Sequence, residues 1–207
     1  PQKDFYSLKK VGMYYVSLES WLEEDNDKIR GKGVFKKVLE NIKILKGIGY
    51  RIGLMTTLQN SNINNLINNF AQLHFFLREH NIDEIIFERF VPVGRAKNLR
   101  NEVVNNDMML KFYNELSEYY ELDFDDIKKY KAIKISFNSS ETNFDKIEFY
   151  GAQCTSGKEG VAVLCDGTVY PCRRFDVSLG NLLKDRMIDL IPSGKIFNTI
   201  HNKDLFN

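Results

Sequence analysis

A regular alternation of short apolar runs with longer runs of helical periodicity constrains this chain most. Residues 11–18 (Val-Gly-Met-Tyr-Tyr-Val-Ser-Leu) are β-branched and aromatic and stop at an acidic segment, the signature of a largely buried strand. Residues 34–46 set Val34, Phe35, Val38, Leu39, Ile42 and Leu45 on one helical face, and Gly47 and Gly49 follow as a stop. Residues 50–58 read as a second strand. Asn62 then stands where a helix cap belongs, and Ile63, Leu66, Ile67, Phe70, Leu73 and Leu77 carry one helix to about His80. Residues 82–90 form a third strand, ending at Val91-Pro92-Val93-Gly94. Alternation at this spacing predicts an α/β fold with parallel strands joined by right-handed crossovers. Ligands of such sheets sit at the carboxyl ends of the strands, here Ser17–Ser20, Thr56–Gln59 and Arg89–Pro92.

The remaining segments are less periodic. Residues 19–33, with Glu23, Glu24, Asp25 and Asp27, read as a loop. A helix is expected over 107–120, followed by the acidic stretch Asp123–Asp126 and mixed strand-like sequence to about Tyr150. That acidic stretch lacks the glycine and terminal glutamate of a calcium loop and reads as solvated. The asparagine-rich run 60–69 keeps apolar periodicity, so it reads as a solvated helix face. The expected domains are 1–145 and 146–207, the second holding a hairpin over 161–172 and a short helix over 195–201.

Composition narrows the classes. A chain of 207 residues holds one large domain, or one domain and a small appendage. Its 29 basic and 28 acidic residues give a net charge of +1, without the basic excess of a nucleic-acid-binding surface. No apolar run approaches the roughly 18 residues of a membrane span, and no signal peptide opens the chain. Three cysteines do not make a disulfide framework and fit a reducing cytoplasm. The first residue is Pro1, which points to processing or to an excerpt from a longer protein.

The cysteines carry the chemistry. Cys154 and Cys172 flank a hairpin whose turn contains Asp166-Gly167, with the spacing Cys-x12-Gly-x4-Cys. A two-residue Asp-Gly loop would pair Cys165 with Thr168, Val163 with Tyr170 and Val161 with Cys172. Cys165 and Cys172 would then be roughly 13 Å apart on one face, too far for one metal site or a disulfide. Cys172 lies at the end the Cys154 segment can approach, so Cys154 and Cys172 are the expected metal ligands and Cys165 a small buried hydrophobe. Two thiolates complete neither a zinc site nor an iron–sulfur cluster. His201, late in the last helix, is a weak further candidate.

Cys154-x12-Gly167-x4-Cys172 followed by Gly180-Asn181-Leu182 resembles the start of the auxiliary-cluster domain of radical S-adenosylmethionine (SAM) enzymes of the SPASM/Twitch group. Upstream, Val16-Ser17-Leu18-Glu19 and Ile29-Arg30-Gly31 resemble the fourth barrel strand and the Arg-Gly after it. Thr56-Thr57-Leu58 with Asn62 resembles the fifth strand, and Arg89-Phe90-Val91-Pro92-Val93-Gly94-Arg95-Ala96 the sixth. The chain departs from the group in lacking the Cys-x3-Cys-x2-Cys motif that binds the SAM-cleaving [4Fe–4S] cluster, and the later cysteines of a full SPASM domain.

The resemblance implies the C-terminal half of a partial (β/α)6 TIM-like barrel, followed by an incomplete SPASM/Twitch β-hairpin domain. It implies a parent oxidoreductase that modifies a peptide or protein substrate through a 5′-deoxyadenosyl radical. Its cofactors would be SAM and [4Fe–4S] clusters, and its reductant a ferredoxin or flavodoxin. Ser17 and Arg30 match positions near the SAM amino-acid moiety, a hydroxyl and a guanidinium suiting its carboxylate. Phe90 and Val91 match the strand end lining the adenine pocket. Without the resemblance, Ser17 and Arg30 read as a strand-end hydroxyl and a surface arginine. The chain alone, lacking ligands for the SAM-cleaving cluster, is expected to be inactive. It is also expected to self-associate through exposed sheet edges. The rival expectation is a non-catalytic binding module with a structural zinc or no metal.

Overall fold

The computed structural model describes residues 12–121, 132–137, 147–152, 161–172 and 177–190. Cys154, the stretch Asp123–Asp126, His201 and the helix expected over 195–201 lie outside the described residues. The chain divides into two compact units, residues 1–153 and 154–207.

The first unit holds a five-stranded sheet in the order β1-β2-β3-β4-β5. β1 (Met13–Ser17), β2 (Arg51–Leu58) and β3 (Glu84–Arg89) are parallel, with Ser17 opposite Met55 and Leu58 opposite Arg89. This parallel run is the one expected from the alternation. β4 (Ala132–Phe137) then runs antiparallel to β3, and β5 (Ile147–Ala152) antiparallel to β4. β5 therefore lies in the first unit, whereas the sequence places a boundary at residue 145.

One face of the sheet is apolar. Ile52, Leu54 and Leu58 of β2 alternate toward it, joined by Ile85 and Phe87 of β3 and Ile133, Ile135 and Phe137 of β4. α2 (Val34–Gly47), α3 (Ile63–Asn68), α4 (Phe70–Glu79) and α5 (Asn106–Tyr120) supply the rest of this core, Phe112 and Leu116 of α5 being wholly buried. The opposite face carries a polar ladder beside Met13, Met55 and Ile86. Tyr15 donates from its hydroxyl to Glu84 Oε2 at 2.5 Å, and Ser136 Oγ donates to Glu84 Oε1 at 3.1 Å. Gly53 makes room for this ladder, because a Cβ there would stand 2.5 Å from the Tyr15 ring. Burial first and Glu84 second push the Tyr15 hydroxyl up to about 12.

Asp83 pins the amino ends of the strands. Its carboxylate accepts from Ile52 N and Lys46 Nζ, each at 2.7 Å, and its backbone pairs with Ile52 O and Phe137 N. A buried carboxylate with this many donors fixes the register of β2, β3 and β4 together.

Three sequence expectations are corrected in this unit. Residues 23–30 form a helix, α1 (Glu23–Arg30), and not a loop. Glu23, Glu24 and Asp25 occupy its first turn and Lys28 and Arg30 its last, complementing the helix dipole. The helix expected to run from Asn62 to His80 is two helices, broken at Asn69. Asn69 Nδ2 donates back to the Asn65 carbonyl and side-chain oxygens there. Asn62 makes no side-chain cap and is committed elsewhere, as described below.

The second unit is a small antiparallel sheet, β6 (Ala162–Val163), β7 (Thr168–Tyr170) and β8 (Gly180–Asn181), with a short helix α6 (Met187–Leu190). Val169, Leu179 and Leu190 form its core.

Candidate functional site

The carboxyl ends of β1 and β2 gather a buried polar network that includes Glu19, Asn26, Thr56 and Asn62. Glu19, just past β1, is 2 % exposed. Arg30, the last residue of α1, donates to Glu19 Oε1 from Nε at 3.0 Å and from Nη2 at 2.5 Å. Thr57 N donates to Glu19 Oε2 at 2.6 Å. The Glu19 backbone is held as well: its N–H donates to Asn26 Oδ1, and its carbonyl accepts from Asn62 Nδ2. Asn62 also donates to Thr57 O and accepts from Gln59 N, so it stitches the β1 and β2 rims together in place of capping α3. Thr56 Oγ1 adds a bond to Leu18 O.

Beyond β2, Asn60 N donates to Glu102 O, Asn60 Nδ2 to the carbonyls of Asn101 and Val103, and Ser61 N to Glu102 Oε2. These bonds join the loop after β2 to the segment after β3.

Ser17 ends β1 half-buried, and its hydroxyl makes no hydrogen bond among the described residues. Phe90 and Val91 follow β3, partly exposed, with Phe90 N donating to Leu58 O. Ser17 thus ends β1, Phe90 and Val91 follow β3, and Arg30, at the end of a helix where the sequence suggested a loop, is tied to this rim through Glu19. Sequence reasoning missed that Arg30 is already paired with a buried carboxylate. It also missed Asn26, fully buried inside a run of acidic residues, where polarity signalled only solvent.

The donor set suits a carboxylate. Arg30 keeps a third of its side chain exposed, and its Nη1 group makes no hydrogen bond among the described residues. A guanidinium edge and a hydroxyl match a carboxylate. The exit of β3 offers apolar surface at Phe90 and Val91.

In the second unit the register differs from expectation by one residue. Ala162 pairs with Tyr170 and Val163 with Val169, leaving Cys165, Asp166 and Gly167 as a three-residue loop. Gly167 takes φ +82, Gly167 N donates to Leu164 O, and Leu164 N donates to Thr168 O. This is the hairpin loop that ends on a left-handed residue. Cys165 sits in the turn and is exposed, not buried. Cys172, just past β7, is half-buried and not in a disulfide.

The Gly180-Asn181-Leu182 motif clamps this turn. Asn181 Nδ2 donates to Asp166 O at 2.9 Å, Asn181 Oδ1 accepts from Leu183 N at 2.8 Å, and Leu182 N donates to Gly167 O at 2.9 Å. Among the described residues, no group of three or more His, Cys, Asp or Glu side chains is gathered as a metal site. Cys172 therefore fits an iron–sulfur cluster in donor type, as one thiolate of the four such clusters take.

Residues 154–205 match the family model described as SPASM, iron-sulfur cluster-binding domain. The fold matches SuiB of Streptococcus suis bound to S-adenosylmethionine at 11% identity and a TM-score of 0.64, covering 98% of this chain and 48% of that one. SuiB bound to its precursor peptide SuiA matches at 12% identity and a TM-score of 0.66, covering 98% of this chain and 47% of that one. Native anSMEcpe with bound AdoMet and Kp18Cys peptide matches at 15% identity and a TM-score of 0.65, covering 96% of this chain and 56% of that one. The chain thus shares the fold of these solved structures, carries a segment that matches the SPASM model, and spans about half the length of those chains. No curated protein matches it.

Proposed function

We propose that this SPASM-type radical SAM chain is part of an oxidoreductase that modifies a peptide or protein. The observation that supports the reading is the strand-end rim, where Ser17 and the Glu19–Arg30 pair follow β1 and Phe90 and Val91 follow β3, at the same end of the parallel strands. In this reading Ser17 and Arg30 take the SAM carboxylate, and Phe90 and Val91 pack on its adenine. SAM and its iron–sulfur cluster, when bound, supply a carbon radical that abstracts hydrogen from the substrate. The rim orients SAM and its buried network excludes water from that end of the sheet.

Cys154 and Cys172 are the thiolates assigned to an auxiliary cluster, the SPASM match at 154–205 supporting that role. A peptide substrate follows the solved structures that carry SuiA and Kp18Cys. A ferredoxin or flavodoxin supplies electrons in the cytoplasm. The chain alone, lacking Cys-x3-Cys-x2-Cys, does not cleave SAM. Among the described residues no helix is long and apolar enough to cross a membrane.

Iron and sulfide analysis of the anaerobically reconstituted full-length protein tests the cluster assignment. The expected result is more than one cluster, with iron lost on Cys172→Ala. A single cluster, unaffected by Cys172→Ala, removes the auxiliary site. Stoichiometric zinc with no sulfide would instead favour a structural metal module.

A further inference from the structure

We infer that Glu19 is a positioning residue that holds the guanidinium of Arg30 in one orientation, so that its Nη1 edge is preset to receive the carboxylate of an amino-acid ligand. The inference rests on the reading of Ser17 and Arg30 as the SAM-carboxylate site and goes beyond it. An unrestrained arginine at a helix end is rotamer-rich and loses that freedom on binding.

Here the freedom is already gone. Both Glu19 carboxylate oxygens, its N–H and its carbonyl are engaged, by Arg30, Thr57, Asn26 and Asn62. The carboxylate is 3 % exposed and cannot itself meet a ligand. It reaches the ligand only through Arg30, whose side chain is 33 % exposed. An ion pair serving only to tie α1 to β2 would have no use for a guanidinium edge left exposed and without a bond among the described residues.

The pairing also sets what the rim accepts. Glu19 offsets the charge of Arg30, so the pair itself is close to neutral. Such a pair suits a zwitterion, which brings its own ammonium, better than a polyanion such as phosphate.

Calorimetric titration of SAM into the chain, with thermal melting of each variant, tests this. Glu19→Gln keeps the shape and an oxygen for Thr57 N but removes the charge. It is expected to weaken SAM binding about tenfold. In an Arg30→Ala background the same change is expected to leave SAM binding unaltered while still lowering the melting temperature. A purely structural Glu19 would weaken binding equally in both backgrounds. Loss of binding on Arg30→Ala but not on Glu19→Gln overturns this inference alone. No SAM binding by the unaltered chain, or full binding by Arg30→Ala, overturns the underlying reading of the site. If Glu19→Gln does not fold, Glu19→Asp serves instead. Its carboxylate is one methylene short of holding both Arg30 and Thr57, and unchanged affinity would overturn the inference.

Discussion

Asp27 caps a helix to which it does not belong. α2 starts after Gly33, which has no side chain to satisfy the first free N–H groups. Asp27 supplies the acceptors from α1, taking Gly33 N on Oδ2 at 2.5 Å and Phe35 N on Oδ1 at 2.8 Å. Desolvation pushes its carboxyl up, but the Phe35 and Gly33 N–H groups, the Asn26 amide and the Lys36 charge outweigh it. Its pKa therefore lies below the ordinary 3.8, and its stabilisation is present above 3.8 and lost as pH falls through the folded value. Asp27→Asn is expected to lower the melting temperature at neutral pH. The gap from the unaltered chain should narrow as pH falls below 3.8 and through the folded pKa of Asp27. A gap that stays constant across that range would mean the Asp27 charge does not cap α2. Salt bridges from Lys28 to Glu24 and Asp25, and from Lys36 to Glu23, complete the polar surroundings of this carboxylate.

At the scale of elements, the hairpin shows what a motif secures. Gly167 holds a left-handed turn, and a Cβ there would stand 2.8 Å from Asn181 Oδ1 and 3.0 Å from Leu183 Cγ. Gly167→Ala combines the left-handed penalty, roughly 1–2 kcal/mol, with that contact. Hydrogen exchange at the Leu164 and Leu182 amides, both bonded across this turn, is expected to speed up by an order of magnitude or more. Unchanged exchange would show that the Asn181 clamp does not depend on the turn.

The same hairpin marks how far the chain could be read from its residues. The Asp-Gly pair located the turn, but register depends on which residue takes the left-handed conformation. That choice is set by Asn181, a contact 15 residues away. β1, β2 and β3 were readable because each is a short apolar run, β-branched or aromatic, set between acidic or helical segments. α1 was not, because it carries no apolar stripe and is held by capping and charge. β4 and β5 have strand-like sequence, but nothing local states that they turn the sheet antiparallel. Ser17 and Arg30 were placed through the resemblance. Their partners Glu19, Asn26 and Asn62 needed three dimensions, since buried polar residues look like solvated ones until their partners are known.

At the scale of the whole chain, sheet edges matter most. Among the described residues β1 and β5 border the five-stranded sheet, and β1 offers its outer backbone groups to any further strand. Unpaired edges invite pairing with another chain. The 207-residue chain is therefore expected to self-associate, with its mass by light scattering rising at high concentration. A monomeric mass at every concentration would show that these edges are protected.

α1, finally, carries a consequence for conditions in solution. Its ion pairs are exposed, and exposed pairs are each worth no more than about 1 kcal/mol and weaken as salt screens them. Its last residue is Arg30, the cation that Glu19 holds at the strand-end rim. The steadiness of the rim is thereby coupled to ionic strength, and dilute buffer holds α1, and Arg30 with it, more firmly than concentrated salt.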